Sequence, residues 1–300
     1  MATMAVTARR INVRKNICSK NFFVRVKSML NLDFYRLFHT PAYYIMLAIA
    51  AIVPAMVLTM TGQDMGSEYT SQIAGISGMT GMSTMSAASP YTNVWQVVAP
   101  LSPTYVVADM GEYANINMVY IFSGILSSIF IGHDYMSGFV KNVFTVHSKK
   151  FDYVISKMIV GIFCTLCMFV TYLFGAIFAG VLSGLSFDVN ISGLFFCLLG
   201  KIIMAVGFST LYVTINLFFR RMMGLSITAC FFFGTGLPIM AMAYLLGNNA
   251  WLNVFLYGSA CFASLSAGIT EVLVCLICSV MWSAVYMLLS VFILRHRDLA

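Results

Sequence analysis

Residues 158–182 read MIVGIFCTLCMFVTYLFGAIFAGVL, with no charged side chain anywhere in the stretch. A helix needs about 20 predominantly apolar residues to cross the hydrocarbon core of a bilayer, and this stretch is long enough. It therefore predicts a transmembrane helix.

The rest of the 300-residue chain contains further apolar stretches of similar length. The predicted spans lie at residues 42–61, 115–131, 158–182, 194–219, 223–246 and 269–294. The second span is the weakest, because Asn115 and Asn117 open it and its strictly apolar part is short. The predicted fold class is an all-α polytopic membrane protein with six transmembrane helices.

Composition places the chain in lipid rather than in water. Apolar residues make up 60% of it and charged residues 9%, whereas an average soluble domain has about 45–50% and about 25%. The net charge of +7 would suggest a nucleic-acid partner in a soluble protein. Here the basic residues lie between apolar stretches, so they are orientation signals and no nucleic-acid binding is expected.

Charge between the spans predicts the orientation of the chain. Every lysine and arginine except Lys201 lies in residues 1–40 or at one of the following positions: Lys141, Lys149, Lys150, Lys157, Arg220, Arg221, Arg295 and Arg297. The opposite connections contain acidic residues but no basic ones. By the positive-inside rule, we expect a multi-pass protein of the cell (plasma) membrane with both termini in the cytoplasm.

The predicted domains are a basic cytoplasmic tail at residues 1–28 and the transmembrane domain at residues 29–300. Before the first span, the sequence LNLDFYRLF at 30–38 has the spacing of an amphipathic elbow helix that lies in the inner interface. Pro41 would mark the bend into the first span.

Two further sequence features predict local structure. Pro54 in span one, and Gly234, Gly236 and Pro238 in span five, are candidate kinks. The uncharged segment 247–268 is too apolar for a solvated loop. It predicts a short interfacial or re-entrant helix, with Trp251 and Tyr257 at headgroup depth.

The sequence predicts no catalytic, cofactor-binding or metal-binding residues, and so no enzyme activity for this chain. It has no phosphate-binding loop of the GxxxxGK(S/T) type, so ATP and magnesium would bind to another subunit. The serine motif GISG at 75–78 has no histidine on its side of the membrane to serve as a base. The CxxC pairs Cys164/Cys167 and Cys275/Cys278 lie within apolar helices, where cysteine packs as a small hydrophobe.

Lys201 and Glu271 are the charges placed within or at the edge of spans. An ionisable group in a span suggests a function by default, so both are candidates for a translocation path or for a pair across helices. The alternative is that Lys201 extends toward the interface and that Glu271 simply lies there. For Glu271 we favour the interfacial interpretation.

The connection at 132–157 reads GHDYMSGFVKNVFTVHSKKFDYVISK and is longer than a link between neighbouring helices requires. Its apolar spacing predicts a short helix under the membrane, at about residues 134–144, followed by a turn and by a helical start of span three. The alternatives are a solvated hairpin of helix extensions and a docking element for a cytoplasmic partner.

Within this connection, Gly138-Phe139-Val140-Lys141-Asn142, then Ser148-Lys149-Lys150, Tyr153 and Ser156-Lys157, resemble the cytoplasmic loop of type-2 ABC transporter permeases. The six spans, the elbow helix, the cytoplasmic ends and the apolar segment before the last span are similar to that family as well. The resemblance covers roughly residues 31–297. Two departures are Asp134, where the family usually has glutamate, and a longer basic tail.

The resemblance implies an ATP-driven transporter in which two permease chains, identical or homologous, pair with two separate ATPase subunits. The coupling loop would then include Asp134, Gly138, Lys141 and Asn142, with Lys149 and Lys150 at its rim. The cargo would be an amphipathic peptide or another hydrophobic substrate, because similar compact permeases serve antimicrobial-peptide export or immunity. Two alternatives stay open, namely an intramembrane enzyme and a non-transporting membrane sensor or scaffold.

Overall fold

The computed structural model describes residues 22–62, 93–99, 116–145, 150–220, 222–246 and 253–296, and these residues are almost entirely helical. The helices are α1 (Phe22–Phe38), α2 (Pro41–Gly62), α3 (Val94–Val98), α4 (Met118–Met136), α5 (Phe139–Thr145), α6 (Lys150–Leu182), α7 (Ile191–Phe219), α8 (Met223–Gly234), α9 (Leu237–Leu246), α10 (Leu256–Phe262) and α11 (Ile269–His296). The GISG motif, Lys149, Trp251 and most of the first outer loop lie outside the described residues.

Four helices are long and apolar enough to cross a membrane. They are the Pro41–Leu58 part of α2, then α6, α7 and α11, which match predicted spans one, three, four and six. The membrane character predicted from composition is thereby confirmed. Helix α4 and the pair α8 and α9 occupy predicted spans two and five, but they are not among these four.

Predicted span five is broken in the middle. Helix α8 ends at Gly234, and Gly236 has a φ of 70°, a left-handed conformation that glycine adopts without steric cost. Pro238 then lies in the first turn of α9, where its missing N–H removes no helical hydrogen bond. The kink predicted at these residues is confirmed as a complete break between α8 and α9.

Helix α7 is the centre of the bundle, and it packs against α4, α6, α8, α10 and α11. Stacked aromatic rings fill its contact with α4, where the Tyr120 and Phe208 ring centroids lie 4.3 Å apart. Tyr120 also meets Phe169 of α6 edge-on at 5.5 Å. These three fully or nearly fully buried rings join the helices of predicted spans two, three and four.

Helices α2 and α6 approach each other closely at Gly175. A Cβ atom at this position would overlap the backbone carbonyl of Ala51. Small residues allow such close contact between membrane helices, because dispersion forces between backbones then replace contacts with lipid.

The alternating helix directions define two ends of the bundle. The basal end contains α1, α5 and the last turn of α11, and the distal end contains residues 183–190 and the start of α11. At the distal end the short helix α3 is buried against the end of α6, and the hydroxyl of Tyr172 donates to the carbonyl of Val97 at 3.0 Å.

Several helix boundaries at the basal end differ from the predicted ones. Helix α1 begins at Phe22, so residues 22–28 of the expected tail are helical. Helix α6 begins at Lys150, before the predicted span at residue 158, and thus has the helical start that was predicted for span three. The short helix expected at 134–144 is two elements, because α4 continues to Met136 and α5 starts only at Phe139.

Candidate functional site

Gly138 makes the turn that separates α4 from α5 at the basal end. Its φ of 70° lies in the left-handed region, and its backbone N–H donates to the carbonyl of Tyr135 at 3.3 Å. A Cβ atom there would meet nothing within 4 Å, so conformation and not space demands a glycine. The turn redirects the chain from α4 into α5.

Helix α5 has one buried face and one exposed face. Val140 is 2% exposed and Val143 is 9% exposed, and both belong to an apolar cluster with Tyr153 of α6. Lys141 and Asn142 lie side by side on the exposed face. The apolar face therefore fixes α5 to the bundle and leaves a lysine and an amide at its surface.

Next to α5 lie four charged side chains, three of them buried and Arg36 partly exposed. We call them the basal ion network: Asp33, Arg36, Asp134 and Lys157. The ammonium of Lys157 is 2.7 Å from Asp33 Oδ1 and 2.6 Å from Asp134 Oδ2. Arg36 also forms an ion pair with Asp134. The two carboxylates and the two cations balance, which offsets the cost of removing them from water.

Hydroxyl groups of α6 also donate hydrogen bonds to the two carboxylates. Ser156 Oγ donates to Asp33 Oδ2 at 2.6 Å, and the Tyr153 hydroxyl donates to Asp134 Oδ2 at 3.3 Å. A separate buried pair joins Arg25 Nε to Asp152 Oδ2 at 2.6 Å. These bonds tie α1 and the end of α4 to the start of α6.

Aromatic rings link the basal ion network to α5. The guanidinium of Arg36 lies 4.0 Å from the ring centroid of Phe139, the first residue of α5. Lys157 lies 4.3 Å from the ring centroid of Phe130 on α4. A cation over an aromatic face is stabilised by about 0.5–2 kcal/mol, less where the pair is partly exposed as here, so α5 is coupled to α1 through Arg36.

The residues expected in the coupling loop have four different positions. Lys141 and Asn142 are exposed, whereas Asp134 is fully buried and therefore inaccessible to a docking partner in this conformation. Gly138 provides the turn. Lys150 is half-buried and donates to the carbonyl of Leu294 at 2.5 Å, which caps the last turn of α11.

Lys201 and Glu271 do not form a pair across helices. Glu271 lies at the start of α11, where its carboxylate accepts from the N–H of Gly268 at 2.8 Å as in a helix cap. Lys201 is 0% exposed in the interior, and its ammonium donates to Asn117 Oδ1 at 2.7 Å and to the carbonyl of Ala260 at 2.5 Å. Lys201 therefore does not extend toward the interface.

The surroundings of the cysteines and of Tyr257 bear on two predictions. Cys164, Cys275 and Cys278 are buried and unpaired, as the packing interpretation expects. Tyr257 is 4% exposed and its ring packs on Gly236, so it is buried in the protein, and its position at headgroup depth stays a prediction. The ring fills the space that the glycine leaves at the break between α8 and α9.

Sequence reasoning did not place Asp33, Arg36 and Lys157 in the site. A signal was present, since Asp33 and Arg36 lie one helical turn apart in an apolar segment, and Lys157 directly precedes a span. Their partner Asp134 lies in another part of the chain, and only the tertiary contact joins them.

Comparisons of this chain with protein-family models, with curated proteins and with solved structures found no match.

Proposed function

We propose that this chain is the membrane-spanning permease subunit of an ATP-driven transporter of the type-2 ABC kind. In this proposal α4 and the broken pair α8 and α9 are also spans, which makes six, and the basal end faces the cytoplasm. Separate ATPase subunits bind there and hydrolyse ATP, and a second permease chain completes the pathway for an amphipathic peptide or another hydrophobic substrate.

The observation that carries the proposal is the construction of α5. Its exposed face presents Lys141 and Asn142, while its buried face and the stacking of Phe139 on Arg36 attach it to the bundle. A short helix that moves as one body with α1 and α4 can transmit a displacement of a docked partner to the helices of the membrane domain. The resemblance of residues 138–142 and 148–157 to permease coupling loops supports the same role.

Copurification tests the proposal directly. The full chain is isolated from native membranes in mild detergent, and its partners are identified by mass spectrometry. We expect a stoichiometric partner that contains a phosphate-binding loop. Repeated recovery without an ATPase would overturn the proposal in favour of a sensor or scaffold.

A charge reversal then tests the contribution of α5 in the assembled complex. Lys141→Glu should lower stimulated ATP hydrolysis about tenfold, the effect of a charge that clashes across a docked interface. Lys27→Glu is the matched control, because Lys27 is an exposed lysine of α1 outside the proposed surface. Equal rates of ATP hydrolysis by the two variants would show that α5 is not part of the interface with the ATPase.

A further inference from the structure

Two cations lie together where α6 begins and α11 ends. Lys150 is the first residue of α6, and its ammonium is 2.5 Å from the carbonyl oxygen of Leu294. This contact brings the ammonium to the peptide bond that joins Leu294 to Arg295, an exposed residue in the last turn of α11. We call Lys150 and Arg295 the basal cation pair.

The basal cation pair has no acidic partner in the part of the chain that the structure describes. The ion pairs there include neither Lys150 nor Arg295. Asp152 is close to Lys150 in the sequence, but it is buried and its carboxylate is held by Arg25 at 2.6 Å. Neighbouring positive charges that no carboxylate offsets attract an anion.

An apolar stripe on the outside of α11 leads to Arg295. It consists of Met281, Val285, Leu288 and Phe292, all of them exposed, Leu288 by 73% and Phe292 by 57%. Residues at this spacing lie on one side of a helix, and Arg295 continues the same side. The stripe is about 17 Å long, which is close to half of the roughly 30 Å hydrocarbon core of a bilayer.

The first described residue of the chain also lies at this corner of the bundle. The ring centroid of Phe22 is 6.3 Å from that of Phe151, which follows Lys150. Phe23 beside it is 82% exposed. Residues 1–21, which precede them, include five basic side chains and no acidic one. Basic residues next to exposed aromatic rings favour binding to an anionic lipid surface.

We propose that the basal cation pair and the apolar stripe of α11 form a binding site for an anionic phospholipid. One acyl chain lies along the stripe, and the phosphate group faces Lys150 and Arg295. A soluble phosphate compound would leave the stripe without a partner, and a zwitterionic lipid would bring a cation of its own to the pair. This site goes beyond the proposed function, because it requires neither an ATPase nor a cargo.

A bound phospholipid would stabilise the corner at which three helices meet. Lys150 connects α6 to the last turn of α11, and the ion pair of Arg25 with Asp152 connects α1 to the first turn of α6. A ligand that binds the folded chain and not the unfolded chain raises its stability. Anionic lipid should therefore raise the melting temperature of the chain in detergent more than phosphatidylcholine does.

Retention of lipid during extraction tests the site. The full chain is reconstituted into vesicles of phosphatidylcholine with phosphatidylglycerol as the minor lipid, and it is then extracted in mild detergent. Mass spectrometry quantifies the phospholipids that remain bound. We expect phosphatidylglycerol to be enriched about tenfold or more over the vesicle composition, since two cations face its phosphate. Absence of enrichment would overturn the proposal.

Arg295→Gln should lower this enrichment about fivefold, the effect of one basic group near an anionic headgroup. Arg295 is exposed, so the variant keeps the packing of the bundle. Lys141→Gln is the matched control, because it also removes one exposed cation of the basal end, but from α5, and it should keep the enrichment. An equal loss in the two variants would show a general attraction by positive charge and would overturn the site.

Free glycerol 3-phosphate distinguishes a lipid site from a site for a soluble phosphate compound. Added during extraction, it should not displace phosphatidylglycerol, because it has no acyl chain to cover the stripe. Displacement would overturn the assignment to a lipid. None of these measurements involves an ATPase, so a failed copurification leaves the test of the lipid site intact.

Discussion

The buried lysines of this bundle have two different kinds of partner. In the basal ion network each cation faces a carboxylate, and Lys157 bridges Asp33 and Asp134. Lys201 instead faces an amide oxygen and a backbone carbonyl. Loss of Asp134 therefore leaves Arg36 without its carboxylate and Lys157 with Asp33 alone, whereas loss of Lys201 leaves only neutral groups without their partner.

Removing Asp134 should destabilise the protein strongly. Asp134→Ala leaves Arg36 and Lys157 short of a buried partner, and we expect a loss of about 3–5 kcal/mol in the free energy of unfolding. Thermal unfolding of the purified chain in detergent measures the effect.

Asp188→Ala is the control for this prediction, because Asp188 is exposed in the connection between α6 and α7. Its effect should stay within about 0.5 kcal/mol. A similar melting temperature for the two variants would contradict the stabilising role of the basal ion network.

At the scale of elements, the residue at which α5 begins depends on a single turn. The short helix of this connection was predicted from its apolar spacing, but the predicted start at residue 134 is wrong. Gly138 ends the continuation of α4, and α5 begins after it. Asp134 therefore belongs to the buried end of α4.

Gly138→Ala should reduce stability and coupling together. An alanine in the left-handed region costs roughly 1–2 kcal/mol, and relief of that strain would turn α5 away from Arg36. We expect lower ATP hydrolysis by the assembled complex together with a lower melting temperature.

Gly184→Ala is a close match, because Gly184 has a φ of 66° and open space around its Cβ position, but it lies at the distal end. It should lose similar stability and keep its hydrolysis rate. Equal hydrolysis by the two variants would refute the link between the turn and coupling.

Close packing of α2 against α6 provides an independent test of the helix arrangement. Gly175→Ala places a methyl group against the carbonyl of Ala51 and should cost about 1–3 kcal/mol, since the backbones must separate. Gly161→Ala on the same helix meets Ser209 at an ordinary 3.5 Å and should be tolerated. Thermal unfolding in detergent compares the two variants, and equal melting temperatures would contradict this packing.

At the scale of the whole molecule, both described chain ends lie at the basal end of the bundle, with α1 and the last turn of α11. The basic side chains of the connections also belong to this end, including Lys141 and Lys150. The proposed topology therefore predicts that the basal end faces the cytoplasm and that residues 183–190 face outward.

Cysteines introduced at two exposed positions test this orientation. Lys141→Cys should react with a membrane-impermeant maleimide only after the membrane is opened, whereas Asp188→Cys should react in intact cells. The described native cysteines are buried or partly buried and give a low background. The reverse pattern would invert the topology, and reaction of both positions in intact cells would exclude the proposed spans.

The composition and the length of the apolar stretches determined that this chain is helical and belongs in a membrane, because only a helix satisfies its own backbone in lipid. The glycines and the proline of predicted span five likewise indicated where that span breaks, since the left-handed turn and the missing N–H are local properties of the backbone. Local sequence also indicated a short helix in the basal connection and another before the last span.

Only the tertiary structure decided what the buried charges contact. Asp33, Asp134 and Lys157 are far apart in sequence, and the balance of their charges exists only once α1, α4 and α6 meet. One partner of Lys201 is a backbone carbonyl of α10, and every residue type has a carbonyl, so no sequence pattern marks it. Local sequence determines where a helix forms and ends, but the electrostatic partner of a buried charge depends on distances that only packing sets.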